Sequence, residues 1–250
     1  MKFLIYFFCL FASLPAFTQN EKTPPNYNHE VVIGGGIHSQ GYMIGGIYSR
    51  FYKPNRSFLG QAQFAYIKHP KERRMSNDNN ISVTNSGQSR YTFGKQNSLY
   101  SLRLGAGQRF FLSEKNNSQS LGLSFSYTAG VNLGLLKPYY LDLIYRTVND
   151  GVIIRSEPYS EENRYKFLDP LDINGASSSA LGWDELQGRT GLYLQGALYF
   201  DFGPNDEVAK ALEIGVSADY FFQEMPIMLE QPDERLFVNV FLHLYLGKRW

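Results

Sequence analysis

Residues 236–250 read LFVNVFLHLYLGKRW, and they alternate almost to the end. Leu236, Val238, Val240, Leu242, Leu244 and Leu246 fall on one face of a period-two strand. Phe237, Asn239, Phe241, His243, Tyr245 and Gly247 fall on the other. In a water-soluble sheet the apolar face is covered by a second layer, and no residues follow Trp250 to supply one. The expectation is that hydrocarbon covers this face instead.

The same alternation recurs upstream. Between 121 and 133 the odd positions read Leu121, Leu123, Phe125, Tyr127, Ala129, Val131 and Leu133, separated by Gly, Ser, Thr or Asn. A period of two sustained this long excludes a helix, whose apolar positions recur every three or four residues. In 98–110, Tyr100, Leu102, Leu104 and Phe110 oppose Ser101, Arg103 and Arg109. In 190–202, Leu192, Leu194, Leu198, Phe200 and Phe202 oppose Tyr193, Gln195 and Asp201. In 211–222, Leu212, Ile214, Val216, Tyr220 and Phe222 oppose Glu213, Ser217 and Asp219. Segments 31–38, 42–52 and 58–67 bring the expected count to eight strands. In 58–67, Phe64 and Tyr66 are expected outward, and Gln61 and Gln63 inward. The facing of 42–52 stays open, because Met43/Ile47 and Tyr42/Ile44/Tyr48 are both apolar sets.

Residues 1–18 read as an export address: Lys2, an apolar run over 3–14, Pro15, then small Ala16 and Thr18 before a cleavage point. The run is shorter than the roughly 20 apolar residues a membrane helix needs. Cys9, the single cysteine, lies inside it behind Phe8, so no lipid-modified cysteine, disulfide or thiolate chemistry is expected in the exported chain. Polar residues 19–29, with Pro24-Pro25, read as an extended leader, and 30–250 as one barrel domain. Mean hydropathy is -0.30. A barrel gives such a value naturally, because only every second strand residue meets lipid. The net charge of +1 gives no support to nucleic-acid binding.

The links sort by side. Those at 53–57, 113–120 and 203–210 are short and polar, whereas 68–97, 137–189 and 223–235 are long. Within 137–189, segments 139–148 and 152–155 flank Asn149-Asp150-Gly151, a hairpin-turn signal. A hairpin standing above the membrane, continuing the fifth strand past Pro138, is the expectation. Inserting both arms into the wall would give ten strands, which Asp142, Arg146 and the four-residue second arm oppose.

An export address, eight alternating segments, side-sorted links and a terminal aromatic together resemble the small eight-stranded bacterial outer-membrane β-barrel family. The resemblance implies an all-β fold: a closed antiparallel up-and-down transmembrane barrel with periplasmic termini and long extracellular loops. It also implies that Trp250 is the C-terminal signal recognised by barrel-insertion machinery. Lys248 departs from the pattern, sharing the lipid-side parity where such barrels usually carry an apolar residue. Near the interface that costs only about 0–1 kcal/mol. Barrels of this shape serve as tethers, adhesins, assembly accessories and lipid-modifying enzymes, so architecture alone selects no function.

Arg103, Arg109, Glu213, Asp219 and His243 are expected inside, with Asp201 near the periplasmic rim. Eight strands leave an interior filled by side chains, so a paired polar plug is the expectation and a conducting pore the alternative. His29, His38, His69 and His243 show no two-ligand spacing, and no metal site or cofactor is expected. His38-Ser39 is the weak hydrolase candidate, opposed because adjacent strand residues point to opposite faces. The Gly34-Gly35-Gly36 and Gly45-Gly46 runs, like Gly105 and Gly107, read as bends or close backbone approach rather than a phosphate loop. Long loops usually carry function. Tyr139, Tyr140, Tyr145, Tyr159, Tyr165, Phe167 and Trp183 are therefore candidate partner contacts, or equally a cap folded over the barrel mouth.

The functional expectation is a non-enzymatic outer-membrane protein that binds, scaffolds or assists assembly through its loops. Its partners would be membrane lipid, insertion machinery and a protein or glycan at the loops. Three alternatives compete: a narrow pore, a lipid-modifying hydrolase, and a secreted soluble barrel holding an apolar ligand. The last would turn Leu121, Phe125, Val216 and Leu242 inward.

Overall fold

The computed structural model describes residues 27–76, 90–113, 121–146, 151–203 and 207–250. The expected export address, the expected leader up to residue 26, and residues 77–89, 114–120, 147–150 and 204–206 lie outside the described residues. In chain order the strands are β1 (His29–His38), β2 (Gly41–Lys53), β3 (Arg56–Ile67), β4 (Arg74–Met75) and β5 (Tyr91–Thr92). Then come β6 (Asn97–Ser113), β7 (Gly122–Pro138), β8 (Tyr140–Arg146), β9 (Val152–Pro158) and β10 (Ile173–Ala176). The last three are β11 (Gln187–Asp201), β12 (Val208–Met225) and β13 (Glu234–Arg249).

Eight of them close a barrel in the order β1-β13-β12-β11-β7-β6-β3-β2, every neighbour antiparallel. The seam joins the last strand to the first, pairing Ile33 with Leu246 and Ile37 with Leu242. Closure leaves no strand edge, the condition for burying a sheet in hydrocarbon, where unpaired backbone groups find no water. Register keeps like faces together: Leu104 opposes Val131, Phe125 opposes Leu198, and Leu198 opposes Ile214.

The ten-strand alternative is excluded. β8 pairs with β9 on one side and β10 on the other in a separate sheet, order β10-β8-β9, outside the wall. Each arm has only seven residues, short of the about 9–11 that a membrane crossing takes. β10 has four residues, too few to show a period, and the sequence did not reveal it. β2 settles its open question. Tyr42, Ile44 and Tyr48 are exposed on the outer wall, and Met43 and Ile47 are buried inside.

The outward face is apolar around the whole ring. Ile33, Ile44, Leu104, Val131, Leu194, Val216, Val240 and Leu244 are all exposed. Aromatic residues bound this belt at both rims. Tyr42 and Tyr52 mark its limits on β2, ten residues apart. That is about 34 Å along a strand, or about 26 Å of height at a tilt of about 40°, matching the apolar band of about 25 Å expected of a transmembrane barrel. Near the termini, Trp250 stacks on His29 with ring centroids 5.8 Å apart, and His29 on Tyr48 at 5.9 Å. The long links 68–96, 139–186 and 226–233 all leave from the rim opposite the termini.

Inside, two apolar clusters sandwich a polar middle. At the long-loop mouth Ile67, Leu99, Leu136, Phe221, Met225 and Phe237 pack with Ile227 and Met228 from the 226–233 link. Toward the termini Val32, Ile47, Leu59, Tyr199, Ala209, Ala211 and Tyr245 pack together. Fully burying one such side chain contributes about 1.5–3 kcal/mol. Several glycines of the wall are needed for close approach. A Cβ at Gly105 would collide with the Tyr193 hydroxyl, and one at Gly36 with the Leu242 carbonyl.

Candidate functional site: a filled lumen beneath a folded loop cap

Arg103, from the middle of β6, reaches across the lumen to Asp219 on β12. Its Nε and Nη2 donate to the two carboxylate oxygens at 2.8 and 2.6 Å. Asn132 donates to the same carboxylate at 2.7 Å, and Ser101 donates to Asn132 at 2.7 Å. Both charged side chains are fully buried. A fork-to-fork pair with its remaining lone pair satisfied is the arrangement under which buried ions are tolerated.

Arg109 does not pair with Glu213 or Asp219. Its Nη1 donates to Glu30 Oε1 at 2.7 Å, and its guanidinium lies 3.7 Å from the Tyr199 ring centroid. Glu30 Oε2 accepts from Arg249 Nε at 2.7 Å, and Arg249 also bonds Asp201. This cluster ties β1, β6, β11 and β13 together across the seam. Sequence reading missed Glu30 and Arg249, because both sit where the alternation begins or ends. Glu213 instead accepts from Ser126 at 3.3 Å and lies 3.6 Å from His243 Nδ1, which is 3.1 Å from the Tyr245 hydroxyl. The expected charges are thus all inside, but the structure divides them into separate groups rather than one plug.

The His38-Ser39 candidate is not arranged for nucleophilic attack. Asn239 Oδ1 accepts from Ser39 Oγ at 3.0 Å and lies 3.1 Å from His38 Nδ1. The hydroxyl therefore points to the asparagine, whereas activation requires it on a free ring nitrogen. Among the described residues, no group of His, Cys, Asp and Glu is placed to hold a metal ion.

The 137–189 link builds a hydrophobic core of its own. Leu141, Leu143, Phe167 and Ile173 are fully buried there beside Tyr91, and Tyr139, Tyr145 and Tyr159 pack against them. Phe167, within a one-turn helix Arg164–Phe167, is thus a core residue and cannot meet a partner, correcting its place among the candidate contacts. Tyr159 packs edge-on against it at 5.6 Å. Tyr139 accepts from the Thr92 backbone N–H at 3.1 Å, which fastens the cap to β5. Tyr165 and Trp183 remain exposed, and Tyr140 is half-buried. The hydrogen bond to Glu185 pushes the Tyr140 phenol up to about 12. Burial and the Glu157 bond do the same for Tyr145. These phenols stay protonated near neutrality and act as donors, not as bases.

A closed eight-stranded ring with an apolar exterior, aromatic rims and a filled interior defines a small membrane-spanning β-barrel. Solved structures of similar fold are small bacterial outer-membrane barrels. Ail, the attachment invasion locus protein of Yersinia pestis, solved in complex with the heparin analogue sucrose octasulfate, is 12% identical, with 90% of this chain and 99% of that chain covered, TM-score 0.39. Neisserial surface protein A is 7% identical, covering 90% and 97%, TM-score 0.41. The outer membrane protein OprG from Pseudomonas aeruginosa is 9% identical, covering 91% and 98%, TM-score 0.34. Likeness at this level transfers no ligand or activity. No family model and no curated protein matches the sequence.

Proposed function

We propose that the protein is an integral, non-conducting and non-enzymatic outer-membrane barrel, exported through a cleaved address at 1–18. It displays its long loops on the cell surface to bind a protein or glycan partner. One observation carries the reading. Buried ion pairs and two buried apolar clusters occupy the interior of the ring, while the only other core in the described residues is built by the loops. A filled interior leaves transport without a path. A loop region with its own core presents Tyr165 and Trp183 from an ordered platform, which lowers the ordering cost of binding.

The test replaces residues 139–186 with a short Gly/Ser linker. Parent and variant are then compared on an array of immobilised glycans and surface proteins. The parent should bind at least one component and the variant none, both keeping the faster gel migration of an unboiled barrel. Binding that survives the replacement contradicts the loop role. Stepwise conductance of the parent in planar bilayers contradicts the filled lumen.

A further inference from the structure

The wall beneath the loops carries a cleft. It encloses about 710 Å³. Its floor is a row of tyrosines on the lipid-facing parity, Tyr42, Tyr66 and Tyr100, which are direct cross-strand partners on β2, β3 and β6. Successive ring centroids are 5.2 Å apart, and Trp183 extends the row at 5.2 Å from Tyr100. Lys68, Arg74, Arg90, Lys95 and Lys137 line the sides, from separate stretches of chain.

Charge there is unbalanced. The lining holds one carboxylate, Glu72, and it is already engaged by Lys95 Nζ at 2.9 Å and by the His69 N–H at 3.1 Å. Among the described residues, Lys68, Arg74, Arg90 and Lys137 have no carboxylate partner. Lys137 is the most telling. It is 7% exposed, yet among the described residues its ammonium meets only the neutral Ser179 carbonyl at 2.5 Å and the Trp183 ring at 5.0 Å. A partly buried cation without a carboxylate partner carries a desolvation cost, and an anion in the cleft would reduce it.

We propose that this cleft binds the phosphorylated headgroup of an outer-leaflet lipid. A phosphoryl group brings more than one charge and three acceptor oxygens, suited to forked donation from Arg74 and Arg90. The floor selects a lipid over a free anion. Its tyrosines continue directly into the lipid-facing wall through Phe64, stacked 5.7 Å from Tyr100, at the height of headgroups. The inference rests on the reading that the long-loop rim faces the outer leaflet.

The test uses the full chain folded in zwitterionic micelles and native mass spectrometry, with diphosphoryl lipid A or its dephosphorylated counterpart as probe. Diphosphoryl lipid should bind at least about tenfold more tightly. Arg74→Gln and Arg90→Gln, both at exposed positions, should each weaken it about three- to tenfold, and Lys137→Gln about tenfold. Inorganic phosphate should fail to displace the lipid below about 10 mM. Equal retention of the two lipids, parental affinity in the Arg74→Gln/Arg90→Gln double variant, or displacement by phosphate below about 10 mM would each overturn the proposal. A parent chain lacking the unboiled gel shift overturns the membrane reading and this inference together. A shifted parent without lipid preference overturns this inference alone.

Discussion

Glu30→Gln should be among the most damaging single-atom changes available to this barrel. The glutamate is fully buried, and its two oxygens hold Arg109 and Arg249 at 2.7 Å each. Glutamine keeps the shape and removes the charge. Breaking a buried ion pair from one side costs about 3–5 kcal/mol, because the other charge is left uncompensated. Arg109 bears that cost, keeping only the Tyr199 ring beneath it. Arg249 retains Asp201, so its loss is closer to that of one hydrogen bond, about 1 kcal/mol. The sum is about 4–6 kcal/mol. Reversible urea unfolding in lipid vesicles, followed by tryptophan fluorescence and gel migration, measures it. Arg109→Met in the Glu30→Gln background should then recover about 2 kcal/mol or more, since the stranded charge is gone. Glu161→Gln is the control. Its pair with Arg164 spans 3.7 Å at the surface and should change stability by less than about 0.5 kcal/mol. If Glu30→Gln lies within about 1 kcal/mol of the parent, or its effect simply adds to that of Arg109→Met, the seam cluster does not stabilise the closed ring.

Other consequences follow from the same geometry. Val240→Arg puts a cation on the exposed wall in the middle of β13 and should destabilise the vesicle-inserted barrel by about 2–4 kcal/mol in urea titrations. Lys95 is pushed down by burial, and Glu72 and Tyr66 more than reverse this, so its net direction is upward from the usual lysine value. Its contribution is then present below the unfolded value of about 10.4 and is lost as pH rises through the higher folded value. Proteolysis of the 68–76 segment should accordingly rise in that alkaline window, less so in Lys95→Met, which starts from the weaker state. Trp250→Ala removes the ring stacked on His29 and, as the expected insertion signal, should slow assembly into the membrane in pulse-chase fractionation more than it lowers the stability of barrels already inserted.

The wall was legible because its physics is local. Leu121, Phe125 and Val131 need only alternate for their common face to be visible, and lipid imposes that alternation on every strand. The β2 facing was not legible, since Met43 and Ile47 are buried inside and leave that strand apolar on both sides. The pairing of interior charges was hidden for another reason. Parity sends Arg103 and Asp219 inward, but β6 and β12 are not neighbours, and only ring closure and strand stagger bring them face to face. Glu30 and Arg249 sit at strand ends, where a polar residue reads as rim. The Phe167 burial depends on β10, a strand of four residues with a glycine inside it, which leaves no periodic trace.

Whether residues of one parity along β13 face hydrocarbon decides the account most directly. The only native cysteine, Cys9, lies in the segment expected to be removed, so single cysteines at 238–243 can be spin-labelled individually in liposome-inserted protein. Oxygen accessibility should be high at Val238, Val240 and Leu242 and low at Asn239, Phe241 and His243. Inverted parity, or accessibility to a water-soluble relaxant at Val240, would contradict a lipid-facing wall and everything built upon it.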